Sequence, residues 1–87
     1  MRDHSLDEFL REEVLNRIYA DLLLERADAA GAGNDAPAAS GNTYYVTFSA
    51  DEVVIQHLYL LEERPIFRLS RQAFIAALTA WRETLAG

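Results

Sequence analysis

The sequence predicts an α+β fold in the order α-β-β-β-α, a three-stranded antiparallel meander packed with an N-terminal and a C-terminal helix. Three observations predict it. Apolar residues recur at helical spacing near each end of the chain, the middle alternates between apolar and polar residues, and a stretch of small residues separates the first helix from the strands.

Ser5-Leu6-Asp7-Glu8 reads as a capping box. In that motif the Ser5 hydroxyl accepts from the backbone N–H of Glu8 and the Glu8 carboxylate reaches back to that of Ser5. Asp7 and Glu8 also suit the positive end of the helix dipole. Leu10, Val14, Leu15, Ile18 and Leu22 then form one apolar stripe, with Glu12, Glu13 and Asn16 on the other side and Phe9 and Leu24 off the stripe. The reading is a single helix over 6–28. From Ala29 to Asn42 the chain turns to Ala, Gly, Ser, Asn, Asp and Pro, which predicts a flexible loop over 29–42.

The sheet is read over 43–69. Tyr44, Val46 and Phe48 share one face of a first strand, and Tyr45, Thr47 and Ser49 the other. Ala50-Asp51-Glu52 makes a tight turn into a second strand, Val53 to Leu61. A connection at Glu62-Glu63-Arg64-Pro65 leads to a third short strand, Ile66 to Leu69; Pro65 has no N–H for a ladder and suits the turn. Ser70 is placed as an N-cap. Phe74, Ile75, Leu78, Trp81 and Leu85 follow as the apolar face of a helix over 71–85. Both faces of the second strand are substantially apolar: Val53, Ile55, His57 and Tyr59 on one, Val54, Gln56, Leu58 and Leu60 on the other. The expected arrangement is a helix over each face; the alternative leaves one face to a partner or a second copy.

At 87 residues the chain fits one domain with a modest core, and half of its residues are hydrophobic, too many for a disordered chain. Its apolar runs are too short for a membrane span, and the acidic opening Met1–Glu8 has no apolar h-region of a signal peptide. There is no Cys and no Lys, which removes disulfides, thiolate metal sites, cysteine nucleophiles and Schiff bases. The expected compartment is the cytoplasm. The net charge of −6 argues against a nucleic-acid partner and suits either plain solubility or a basic protein partner. Residues 1–30 carry eight acids against four Arg, whereas the stretch from Arg64 to Arg82 has four Arg and no acid. That asymmetry predicts either pairing between the two ends or a bipolar surface.

No catalytic constellation emerges. His57, the one His in a structured element, lacks an acid at a spacing that would orient it as a base. Two distant His and no Cys do not make a zinc site. The carboxylate pairs Asp51-Glu52 and Glu62-Glu63 flank a strand of about nine residues, so they stand roughly 25–30 Å apart, too far for a glycosidase dyad. No Walker, dinucleotide or Ser-His-Asp pattern occurs. The expectation is a non-enzyme with no metal and no cofactor, working by recognition. Its candidate partner-binding residues are Asp51, Glu52, His57, Tyr59, Glu62 and Glu63.

Tyr45-Val46-Thr47-Phe48, Val53-Val54-Ile55 and Phe67-Arg68-Leu69-Ser70-Arg71-Gln72-Ala73-Phe74-Ile75-Ala76-Ala77-Leu78-Thr79-Ala80-Trp81-Arg82 together resemble small acidic immunity proteins of bacterial contact-dependent inhibition and related polymorphic toxin systems. The resemblance covers roughly residues 43 to 85 and rests on a hairpin followed by a Leu-Ser-x-x-x-Phe-Ile-x-Ala-Leu-x-x-Trp helix. It implies a cytoplasmic antidote that binds a cognate toxin, often a basic nuclease, and neutralises it by occlusion. Acidic secretion chaperones are also similar in their opening element order, though they carry further strands and a last helix. A homodimeric structural or regulatory domain is the third expectation.

Overall fold

The computed structural model describes residues 5–41, 43–59 and 66–85. The α+β class holds, with two changes: the sheet has four strands, and the first helical region is two helices. The elements are α1 (Ser5–Glu13), α2 (Arg17–Gly31), β1 (Ala39–Ser40), β2 (Tyr44–Phe48), β3 (Glu52–His57), β4 (Phe67–Ser70) and α3 (Arg71–Thr84). The Ser5 side chain, and with it the capping box, lies outside the described residues, as does the 62–65 connection.

The single helix over 6–28 breaks at Val14-Leu15-Asn16. Asn16 leaves the helical region at φ −149°, and its side chain accepts from the backbone N–H of Tyr19, capping a new helix. The break rotates the inward face. Ahead of it Phe9, Leu10 and Val14 are buried; beyond it Ala20, Leu23, Ala27 and Ala30 are. Phe9, read as off the stripe, is fully buried, while Leu15 and Ile18, read as core, face outward. The loop read over 29–42 is also shorter. α2 runs on to Gly31 and closes in a Schellman motif, with Gly33 at φ +79° and bonds from Gly33 N to the Ala30 carbonyl and from Asn34 N to that of Ala29. Ala39–Ser40 then adds the fourth strand.

The strands lie in the order β1-β2-β3-β4, all antiparallel. Val46 pairs with Ala39 and Ile55, and Ile55 with Phe67. This row, together with Phe48, Val53, Leu69, Tyr44 and His57, is the face that the helices cover. The second strand, read as running to Leu61, ends at His57. The opposite face carries Ser40, Tyr45, Thr47, Glu52, Val54, Gln56, Arg68 and Ser70, none of them buried. Among the described residues, helices therefore pack on one side of the sheet, not on both as expected. That side suffices because the strands are short and the polar residues interrupt the apolar ones across the open face.

β4 passes directly into α3. Ser70 is the last residue of the strand and also the N-cap, accepting from Ala73 N at 3.0 Å. Phe74 and Leu78 are buried, with Ile75, Trp81 and Leu85 packed at the margin of the core, as the sequence predicts. α3 packs against α2, where Ala20 and Ala27 allow close approach. Arg82 pairs with Asp21 across that contact. The arginine-rich end of the chain thus does pair with the acid-rich beginning.

Candidate protein-binding surface

The sequence-nominated residues divide between the two ends of β3. At one end, Ser49 and Glu52 close the β2–β3 turn, Ser49 N donating to the Glu52 carbonyl at 2.9 Å. α3 grips this turn. Arg71 N donates to the Asp51 carbonyl and Arg71 Nε to that of Ala50. The Asp51 side chain is exposed, whereas Glu52 is spent on a cross-strand ion pair with Arg68 at 3.1 Å.

At the other end, His57 is only 6 % exposed, so it is a core residue and offers little surface. Its ring meets Tyr44 and Tyr59 edge-on, at centroid distances of 5.0 and 6.3 Å, and its Nδ1 accepts from Tyr59 N. That acceptance puts the proton of the neutral ring on Nε2. Tyr59 itself stands out into solvent, 73 % exposed. Glu62 and Glu63 lie outside the described residues. The six residues of β3 hold Asp51-Glu52 about 17 Å from His57. The nominated residues therefore do not form one site.

What does converge, near Tyr59, is the α1–α2 break and the β1–β2 hairpin. Glu13 Oε2 accepts from the backbone N–H groups of Thr43 and Tyr44 at 3.2 and 2.9 Å, so a helix carboxylate fastens the hairpin turn. The Tyr44 hydroxyl donates to Glu12 Oε1. Trp81 Nε1 donates to the Val14 carbonyl at 2.7 Å, satisfying an acceptor that the break exposes. Beside these contacts is a surface hollow of about 360 Å³ lined by Glu13, Leu15, Asn16, Tyr19, Ser40 and Gly41. Tyr19 lines the hollow. Like the Nε of Arg17 on the same helix, its hydroxyl is shielded from water and has no hydrogen-bond partner. Burial, and next the charge of Glu13, hold it protonated above the usual tyrosine range, against a smaller opposing pull from Arg26.

At the edge of the hollow Leu15 is 65 % exposed, and Ile18 nearby in the chain is 84 % exposed. Leu15 lies in the break and Ile18 on α2, beside two helices that together carry the acids Asp7, Glu8, Glu12, Glu13, Asp21, Glu25 and Asp28 against Arg11, Arg17 and Arg26. Among the described residues no group of three or more His, Cys, Asp or Glu is placed to hold a metal, and no helix is long and apolar enough to cross a membrane. Comparison with protein-family models, curated proteins and solved structures finds no match.

Sequence periodicity hides this surface because it counts Leu15 and Ile18 as core. The signal that bears on it is Asn16. An Asn flanked by helix formers in the middle of a long stripe is a preferred N-cap, and a cap there re-phases everything after it.

Proposed function

We propose that this protein works by binding another protein, as an immunity protein of the cytoplasm that occludes a cognate, basic bacterial toxin domain. The observation that carries the reading is the inversion of α2. Three alanines, Ala20, Ala27 and Ala30, face the core with Leu23, while Ile18, with Leu15 just ahead of the helix, projects into solvent from an acid-rich pair of helices. Leaving two large aliphatics bare gives up roughly 1.5–3 kcal/mol of burial free energy for each. Their placement suits a partner that covers them. An apolar anchor beside acid-rich helices matches an apolar patch rimmed by Arg or Lys, with the net charge of −6 steering the encounter. The Phe-Ile…Leu…Trp pattern of α3, which resembles that of immunity proteins, supports the same reading. Occlusion asks for shape and charge, not for bond-making groups.

Co-expression tests it. A protein captured by the tagged chain from its native strain is expected to contain a basic domain that kills cells when expressed alone. The chain should relieve that toxicity, and Leu15→Ser/Ile18→Ser should not, although it folds. Rescue by the double variant at wild-type level, or a captured protein that is harmless, would overturn the proposal. A dimer by light scattering that dissociates in the double variant would instead assign the surface to self-association.

A further inference from the structure

We infer that two copies of this chain exchange α1, with the α1–α2 break as the hinge and the opened form running as one continuous helix. The site that α1 fills in one copy then receives the α1 of the other. The contacts that dock α1 come from its own residues. Phe9 is fully buried and meets the Tyr44 ring edge-on at 5.2 Å. Glu12 takes the Tyr44 hydroxyl, and Glu13 takes the amides of Thr43 and Tyr44. The α1 of a second copy carries the same residues and re-forms the same contacts, so exchange leaves the docking free energy nearly unchanged.

The closed and opened forms differ at the hinge. Val14-Leu15-Asn16 is a three-residue connection, and short hinges under strain favour exchange. Unfavourable features concentrate here. Among the described residues, Arg17 Nε and the Tyr19 hydroxyl are the side-chain polar atoms buried without a hydrogen-bond partner, both in the first turn of α2. Leu15 and Ile18, beside them in the chain, are bare. Opening loses two bonds, from Tyr19 N to the Asn16 side chain and from Trp81 to the Val14 carbonyl. It gains the backbone bonds that a helix start leaves unmade, because the first N–H groups of α2 then find carbonyls in α1. A straight helix also places Leu15, Ile18 and Leu22 at i, i+3 and i+7, the seam spacing of a coiled coil. Two such helices crossing antiparallel about a two-fold axis cover Leu15 and Ile18 of both copies. The net charge of −6 on each copy opposes association, so exchange belongs to high protein concentration and screening salt. The exchanged dimer withholds Leu15 and Ile18 from a toxin; that consequence alone rests on the proposed function.

The test uses the isolated chain, unfolded in urea and refolded at millimolar concentration in high salt, then followed by size exclusion with light scattering. A dimer is expected that survives dilution for hours, because separation requires α1 to undock. Folded copies that merely touch separate within minutes. When isotope-labelled and unlabelled chains are refolded together, the dimer should show Phe9–Tyr44 ring contacts between copies in isotope-filtered NOE spectra, and the monomer should not. Arg17→Pro discriminates the two forms. In the monomer Arg17 is the first helical residue, where proline is favoured, and Asn16 at φ −149° and ψ 162° has the extended backbone that suits the residue before proline. In the straight helix the same proline is interior and should disfavour the dimer about a hundredfold per chain. The urea midpoint of the monomer should match wild type. Asn16→Ala acts the other way: it removes the cap, favours continuity and should raise the dimer fraction. No dimer from either wild type or Asn16→Ala, a dimer without Phe9–Tyr44 contacts between copies, or undiminished dimer in Arg17→Pro would each overturn the inference. If Arg17→Pro does not fold, a Gly-Gly insertion after Leu15 takes its place by lengthening the hinge; loss of the dimer is again expected, and its persistence overturns the inference. None of these readouts needs a toxin, so the exchange and the proposed function stand or fall separately.

Discussion

Glu13 shows how much one carboxylate decides. It ends α1, holds the amides of Thr43 and Tyr44, and lies so close over Gly41 that a Cβ there would collide with its carboxyl group. Glycine at 41 is therefore required by close approach, not by an unusual φ. Gly41→Ala is expected to push the carboxylate off the hairpin and cost about 1–3 kcal/mol, the scale of a charge-assisted hydrogen bond broken with its donors left unpaired; urea denaturation would measure it. Asp21 illustrates the opposite case, an exposed pair. Arg82 donates to both of its oxygens, and that hydrogen bonding holds the Asp21 carboxyl below its usual range. Since the folded state favours the ionised form, the pair contributes at neutral pH. Its contribution disappears as pH falls below about 3.9, the ordinary Asp value, and through the depressed one. Asp21→Asn should thus lower the urea midpoint slightly at pH 7 in low salt. The difference should shrink in high salt, because the pair is solvated, and vanish once the pH is low enough to protonate the carboxyl in the folded state as well.

At the scale of elements the decisive event is the break after Glu13. Three groups stabilise it: the Asn16 side chain caps α2, the Trp81 indole satisfies the Val14 carbonyl, and Val14 itself is buried. Removing the cap with Asn16→Ala should cost about 1 kcal/mol. Trp81→Phe keeps most of the ring but leaves the carbonyl unpaired, which should cost about 1–3 kcal/mol. Chemical denaturation of both single variants and of the double variant would show whether the two interactions couple, as expected if they hold the same bend. The inversion of α2 gives a sharper contrast on one helix. Leu23→Ala should cost about 2–5 kcal/mol, because Leu23 is fully buried. Ile18→Ser, on the same helix and 84 % exposed, should change stability by less than about 0.5 kcal/mol. The usual ranking of Ile as core and Ala as surface is reversed there, and melting curves of the two variants would reveal it directly.

For the whole molecule, one-sided packing sets what is available to a partner. All three helices shield the face of Val46, Val53 and Ile55 and leave the face of Tyr45, Thr47 and Val54 without a helix over it. The acid-rich helices α1 and α2 lie on that covered side, and the Arg82–Asp21 pair joins α3 to α2. Much of this is legible in the residues: the α+β class, the strand alternation at Tyr44–Phe48, the turn at Ala50-Asp51, the Ser70 cap and the Phe74–Leu78–Trp81 face. Those features are local, since period, turn chemistry and capping act over a few residues. The two-residue strand β1 is not legible, because Ala39 and Ser40 have no strand propensity of their own and pair only because β2 offers them an edge. The candidate site is least legible of all. Of the residues nominated for it, His57 is core and Glu52 is paired, whereas Glu13, Leu15 and Tyr19, which line the hollow, carry no functional mark in the sequence. The sequence by itself determined the α+β class, the placing of helices at both ends of a central antiparallel sheet, and the lack of any Cys or Lys side chain. Only the tertiary structure decided which side of α2 is inside and which polar atoms are left without partners. Both depend on how segments distant in the chain meet, as Glu13 meets Tyr44 and Trp81 meets Val14, and no local pattern encodes the orientation in which such segments come together.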